Sequence, residues 1–227
     1  MGKGGASDSE MARGKLITLE GGEGSGKSTQ ARLLTERLRS AGLEVIPTRE
    51  PGGTPFAEQV RNFLLASTTA DHGALAEALL FYAARAEHLE KMIRPALSAG
   101  RWVVCDRFSD SSRVYQSHAG GLPHDAFVAL EQLVVAPTRP DLTCILDIPP
   151  EEGLRRATGR LDATGRPASD RYEGRGLRFH EQLREGFLDI ARAEPQRCAV
   201  IDGAGAPEVV AARIWSAVER RFSADIR

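Results

Sequence analysis

The sequence predicts an α/β fold, a five-stranded parallel sheet flanked by helices, on three observations. Short apolar runs alternate with longer helical patterns; the runs are nearly continuous, as in strands covered on both faces; and polar residues gather at their carboxyl ends. The expected strands are 15–20, 43–48, 101–106, 142–147 and 198–202. Between them Ala31, Leu34 and Leu38 recur at i, i+3, i+7, while Phe179, Leu183, Phe187 and Ala191 recur at i+4, each set a stripe aimed at a core. In open parallel sheets the ligand crevice lies beyond the carboxyl ends of the strands, where Gly21, Arg49, Arg107 and Pro149 fall.

The first strand runs into GGEGSGKS and then into the helical pattern TQARLLTERL. Gly21, Gly26, Lys27 and Ser28 fit GxxxxGK[ST], with strand, loop and helix in the order that motif requires. The glycines let successive N–H groups turn inward, and the helix N-terminus adds its positive dipole end, which makes a nest for phosphate oxygens. Lys27 is placed to reach the β and γ phosphates of a nucleoside triphosphate such as ATP, and Ser28 to ligate Mg²⁺. The loop Gly21, Gly22, Glu23, Gly24, Ser25, Gly26, Lys27, Ser28 and Thr29 is therefore the expected ATP-binding segment of a P-loop NTPase fold. The motif alone serves kinases, switches, transporters and motors alike.

Two further strand ends carry charge. Asp106 ends the run WVVCD, with Arg107 just beyond, which suits an acid near Mg²⁺, directly or through water, and an Arg facing phosphate. An ion pair at a sheet edge is the plainer alternative. The run LEVIPT leads into REPGGTPF, where Pro51, Gly52 and Gly53 force a tight turn that holds Arg49 and Glu50 at the crevice.

Composition narrows the partners. The 227 residues are 41% hydrophobic and 27% charged, with a formal net charge of -1, so nothing favours nucleic acid or a membrane surface as partner. Lysine occurs at Lys3, Lys15, Lys27 and Lys91, and the remaining basic side chains are Arg, the better bidentate partner for phosphate. Cys105, Cys144 and Cys198 lie far apart in apolar runs, as reduced core residues of a cytoplasmic protein do. His72, His88, His118, His124 and His180 have no metal-ligand spacing and take no role. Residues 1–13 read as a disordered extension or a remnant of cloning, and 14–227 as a single domain. The stretch 159–176, with Arg160, Arg166, Arg171 and Arg175 among Gly, Pro and Asp, has no apolar period and reads as a surface segment.

Taken together, GGEGSGKS, TREPGGTPFAEQVR, FYAARAEH and DRFSDSSRVYQ resemble the bacterial thymidylate kinase family, from about Lys15 to the C-terminus. The resemblance implies transfer of the γ-phosphoryl of ATP to dTMP, and a homodimer. It implies that Phe81 stacks on the thymine ring, Arg85 bonds its exocyclic oxygen, and Ser112 and Gln116 address the base. It further implies that Tyr115 crowds the sugar 2′ position, Glu23 approaches the sugar hydroxyl, and Arg49 and Arg107 hold the acceptor phosphate. Because Glu23, Gly24 and Ser25 leave no Arg in the phosphate loop, the family pattern sends the catalytic Arg to a lid at about 159–176. Arg171 in ASDRYEGR matches that position best, with Arg160 and Arg166 as alternatives. An adenylate kinase would read GxPGxGK, and a GTPase-type NKxD or a transporter LSGGQ string is not present.

Overall fold

A computed structural model describes residues 13–66, 72–159, 172 and 174–226. All but Arg13 of the expected extension over 1–13, and most of the expected lid, with Arg160, Arg166 and Arg171, lie outside the described residues.

Five parallel strands, β1 (Leu16–Glu20), β2 (Val45–Arg49), β3 (Trp102–Asp106), β4 (Leu142–Asp147) and β5 (Cys198–Asp202), form one sheet in the order β2-β3-β1-β4-β5. The chain leaves β1 for the outer strand β2, returns to β3, then crosses β1 to β4 and β5. The winding thus reverses beside the carboxyl ends of β1 and β3, where a crevice opens.

Alternation along β1 sets the layers. Ile17 and Leu19 face α1 (Lys27–Ser40) and α9 (Pro207–Phe222) in a core with Leu34, Leu38, Leu146, Trp215 and Phe222. Leu16 faces the opposite layer, where Tyr82, Ile93, Val103, Cys105, Phe108 and Phe127 pack. The Thr18 and Thr143 hydroxyls bond each other at 2.9 Å, which satisfies two buried polar groups between the central strands. The stripe Phe179, Leu183, Phe187 of α8 (Leu177–Ala193) closes a third cluster on Ile145 and Tyr115.

The second strand begins two residues later than expected. Leu43 N–H still bonds the Leu38 carbonyl at the end of α1, past Gly42 at φ 84°, so the chain is turning until Val45. It also runs on to Arg49, which pairs in register with Asp106. Coverage on both faces fails at the sheet edge: Val200 in β5 is 49% exposed, because an edge strand has fewer neighbours to cover it.

α2 (Pro55–Leu65) starts on Thr54, whose hydroxyl accepts from Ala57 N–H at 3.2 Å, with Pro55 in the first turn. It packs on α3 (Ala74–His88), which continues through a wider turn, Leu89–Ile93, into α4 (Arg94–Ser98). Past β3 come α5 (Ser109–Ser112) with its continuation Arg113–His118, then α6 (His124–Leu130) continuing through Glu131–Val135. α7 (Pro150–Thr158) follows β4. No described helix is long and apolar enough to cross a membrane.

Candidate active site

The phosphate loop is shaped by its glycines. Gly26, at φ 92°, caps α1, and Gly24, at φ 65°, is so close to α7 that a Cβ would overlap the Gly153 carbonyl. Lys27 folds back over the loop: its ammonium donates to Gly22 O at 2.7 Å and to Ser25 Oγ at 3.2 Å, and Ser25 Oγ donates to Gly22 O at 2.9 Å. Burial, and then the charge of Arg107, push the Lys27 pKa down to about 8, against the opposing pull of Glu23, Asp106 and Glu20. An ammonium held in this way gains when anionic oxygens arrive in the loop.

Ser28 and Thr29 open α1 and line the same cavity, of about 350 Å³, as Gly24, Gly26 and Lys27. The Ser28 hydroxyl donates to Asp106 Oδ2 at 2.5 Å, so the two oxygens expected near Mg²⁺ meet across 78 residues of sequence.

Arg107 is the one non-Gly residue at positive φ among the described residues, at 67°. That turn, tied down by Arg107 N–H to Leu19 O at 3.0 Å, folds the side chain back under the loop. Its guanidinium donates to Gly21 O at 3.2 Å, Ser111 Oγ at 3.2 Å and Glu23 Oε1 at 2.8 Å, and lies over the Tyr115 ring at 4.9 Å. Tyr115 donates its hydroxyl to the same Glu23 oxygen at 2.6 Å. Beneath them Glu20 is buried and accepts from Phe108 N–H, Ser111 N–H and the Ser111 hydroxyl; burial, then Asp110, push its pKa up to about 8.

The β2 end brings in a second group of cations. Arg49 is 54% exposed and donates to Glu58 at 3.0 Å, while Arg61 of α2 donates to the Pro51 carbonyl at 2.9 Å. Arg85 is 2% exposed: Nε donates to Glu50 at 2.7 Å, and Nη2 donates to Ser112 Oγ at 3.0 Å and to Phe108 O at 3.2 Å. Its Nη1 is buried with no hydrogen-bond partner, which leaves a donor for a ligand. Burial pushes the Glu50 carboxyl up, but Arg85 and His88 outweigh it and hold the pKa below the usual value. His88, to which the sequence assigned no role, is wholly buried. Its Nδ1 lies 2.9 Å from Glu50 Oε1 and its Nε2 2.7 Å from the Thr48 hydroxyl, so Glu50 and His88 fix Arg85 from behind.

The structure therefore gathers Glu23, Arg49, Phe81, Arg85, Arg107, Ser112, Tyr115 and Gln116 around one cavity with the phosphate loop. Arg85 is buried on the inner face of α3 and is not a solvated helix charge. Gln116 reaches the cavity, but its Nε2 is held by Glu77 at 2.9 Å. Arg175 stacks on Phe179 at 4.6 Å. The sequence places Glu50 at the crevice without a role, and gives no signal for Arg156, Tyr172, Leu65, Phe108 and Ser111, which line the cavity with Arg61. Arg61 stands inside the quoted TREPGGTPFAEQVR, two turns into the helix begun at Pro55, and that helical phase is the signal that could have found it.

Comparison with known proteins gives one answer. Residues 19–214 match the family model described as thymidylate kinase. A curated relative from Rhodopseudomonas palustris, named thymidylate kinase, is 53% identical over 92% of this chain and 90% of its own length. Another of that name, from Nitrobacter winogradskyi, is 49% identical over 95% and 93%. Among solved structures, the thymidylate kinase of Ehrlichia chaffeensis superimposes with a TM-score of 0.72 at 33% identity, covering 91% of this chain and 99% of that one. With the P-loop, the sheet order and the acceptor-side motifs in one cavity, the chain belongs to the thymidylate kinase family and is a phosphotransferase.

Proposed function

We infer that this chain transfers the γ-phosphoryl of ATP to the 5′-phosphate of dTMP, giving ADP and dTDP. The observation that carries the reading is the shared cavity: a phosphate loop on one wall and, on the other, the half-buried Phe81 beside a buried, unpartnered Arg85 Nη1. A flat apolar ring and one fixed donor are what a planar base with an exocyclic oxygen requires.

The acceptor needs no general base. A phosphate monoester has a second pKa of about 6, so its attacking oxygen is already anionic at neutral pH. The protein must align donor and acceptor and place positive charge where the transition state spreads negative charge. Lys27 and the loop amides do this for the donor, and Arg107 and Arg49 for the acceptor phosphate. Glu23 holds both Arg107 and Tyr115, so the sugar gate and the phosphate clamp share one carboxylate.

The residues present fit Mg²⁺: Ser28 Oγ and Asp106 Oδ2 are hard oxygen donors side by side at the cavity wall, few enough to leave room for phosphate oxygens and waters. Ser28 would hold the ion and Asp106 would hold it directly or through water. When bound, it neutralises charge on the β and γ phosphates.

Arg171 is the proposed lid cation. Its sequence neighbour Tyr172 lines the cavity, and no Arg lies in Gly22–Gly26, which supports that assignment. Arg171→Ala should lower kcat while leaving the KM for ATP nearly unchanged. We place the reaction in the cytoplasm, in keeping with the free thiols of Cys105, Cys144 and Cys198.

A homodimer is the proposed assembly, through the outer faces of α2 and α3, where Phe56, Phe63, Leu75 and Leu79 are exposed. Phe63→Glu should shift the mass seen by light scattering from two chains to one; a wild-type monomer at micromolar concentration would refute the assembly.

With ATP and Mg²⁺, dTMP should release ADP at least about tenfold faster than CMP, UMP or AMP at equal concentration. Equal turnover of all four would overturn the acceptor assignment.

A further inference from the structure

One turn before Phe81 on α3 stands Glu77, 9% exposed and without a part in the reaction described above. Its Oε1 accepts from Gln116 Nε2 at 2.9 Å and from the Tyr172 hydroxyl at 2.7 Å. Its other oxygen lies 3.2 Å from His72 Nε2. Tyr172 also packs edge-on against Tyr115, with ring centroids 5.3 Å apart. Glu77 is thus held from three directions, and what it holds in turn is the amide of Gln116.

An amide side chain is ambiguous by nature. Its two ends are almost equal in shape, yet one donates and the other accepts, so an unheld Gln presents either to a ligand. The Glu77 contact removes that freedom. An NH₂ group can only donate, and Oε1 is the acceptor it meets, so the carbonyl end of Gln116 is turned away from Glu77. Gln116 lines the cavity, as does the Arg85 side chain with its unpartnered Nη1. The pocket then offers a fixed donor and a fixed acceptor.

Thymine presents the complement: an O4 acceptor beside a ring N3–H donor. Cytosine reverses both, with an N4 amino donor beside a bare N3 acceptor. Arg85 alone reads one position of this pair. The amide reads the second only if its orientation is fixed, because a rotating Gln satisfies N3–H and bare N3 equally well.

We propose that Glu77 is a positioning residue for base selectivity: by holding the NH₂ of Gln116 it turns the carbonyl toward the base and makes the pocket accept an imide N–H. The inference rests on the reading of this wall as the acceptor-base pocket, and deepens it. Glu77 touches no reacting group, so its removal acts on acceptor affinity and selectivity and leaves the chemical step alone.

The test is steady-state ADP release with dTMP and with dCMP for wild type, Glu77→Leu, Gln116→Ala and the double variant. In Glu77→Leu, which removes the acceptor, the dTMP KM is expected to rise about tenfold with kcat within about twofold, and the dTMP-over-dCMP ratio of kcat/KM to narrow about tenfold. The double variant should be no worse than Gln116→Ala, since Glu77 acts through that amide. Glu77→Asp keeps the charge but withdraws the oxygen, and should narrow the ratio as well. An unchanged ratio in Glu77→Leu beside a narrowed one in Gln116→Ala, or additive effects in the double variant, overturns the role of Glu77 alone. An unchanged ratio in Gln116→Ala overturns the base-pocket reading, and the inference with it.

Discussion

Lys27→Ala is expected to lower kcat by about a thousandfold or more while the protein remains folded, the scale seen when a preorganised donor is removed from a site of developing charge. Lys27 is 7% exposed and already bonded to Gly22 O, so the ammonium is held over the loop before any phosphate arrives. No other lysine stands in the described cavity, and Arg107 is committed to Gly21, Ser111 and Glu23. Stability should move the other way, if at all. The folded pKa of about 8 lies below the ordinary lysine value of 10.5, so the unfolded chain binds the proton more tightly between these limits. The buried charge therefore opposes folding below about pH 8, and the penalty fades as pH rises toward 10.5. Removing it leaves the melting temperature unchanged or higher.

The same shift gives wild type a pH signature. In the free protein the ammonium is lost as pH rises through about 8, so kcat/KM for ATP should fall tenfold per unit above it. Bound phosphates favour the charged form, so kcat at saturating ATP should hold to higher pH. A flat kcat/KM between pH 7 and 9.5, or a Lys27→Ala variant with more than about a tenth of wild-type kcat, would remove Lys27 from its role.

Arg107→Ala is expected to lower kcat/KM for dTMP by about a hundredfold to a thousandfold, with both KM and kcat affected. Its guanidinium makes three hydrogen bonds at once and covers the Tyr115 ring, a fork that a lysine cannot reproduce, so Arg107→Lys should recover little. Loss of the Arg also removes the 2.8 Å ion pair it makes with Glu23, a buried carboxylate. The backbone offers a separate control. At φ 67° an L-residue carries strain of about 1–2 kcal/mol that glycine does not. Arg107→Gly and Arg107→Ala should be equally inactive, yet the Gly variant should be the more stable by about 1 kcal/mol, the reverse of the usual order. An Ala variant as stable as the Gly variant in urea would argue that the strain is absent, and Arg107→Lys at wild-type rate would sink the fork argument.

Some of the site was legible because it is local. The phosphate loop is eight consecutive residues between a strand and a helix, so its chemistry is a property of one short stretch. Asp106, Arg107 and Arg49 could be placed because a run of apolar residues that stops at a charge marks a strand end, and the ends of parallel strands share one edge of a sheet. The edges of the sheet were less legible. A run such as CAVID reads as buried, yet Val200 faces solvent, because strand order decides which strand lies outermost and periodicity does not report it.

The supports behind the site were not readable at all. Glu50 meets Arg85 across 35 residues, Gln116 meets Glu77 across 39, and Tyr172 meets Glu77 across 95. Helical phase shows which face of α3 turns inward, but the partner of an inward charge depends on which element arrives opposite it. Burial then decides the strength: Arg85 and Glu50 are strongly coupled because they meet in a water-poor layer. Composition and local pattern thus determined the fold class, the phosphate loop and the strand-end charges. Tertiary packing alone decided which side chains those charges face, which donors stay open for a ligand, and which way the Gln116 amide points.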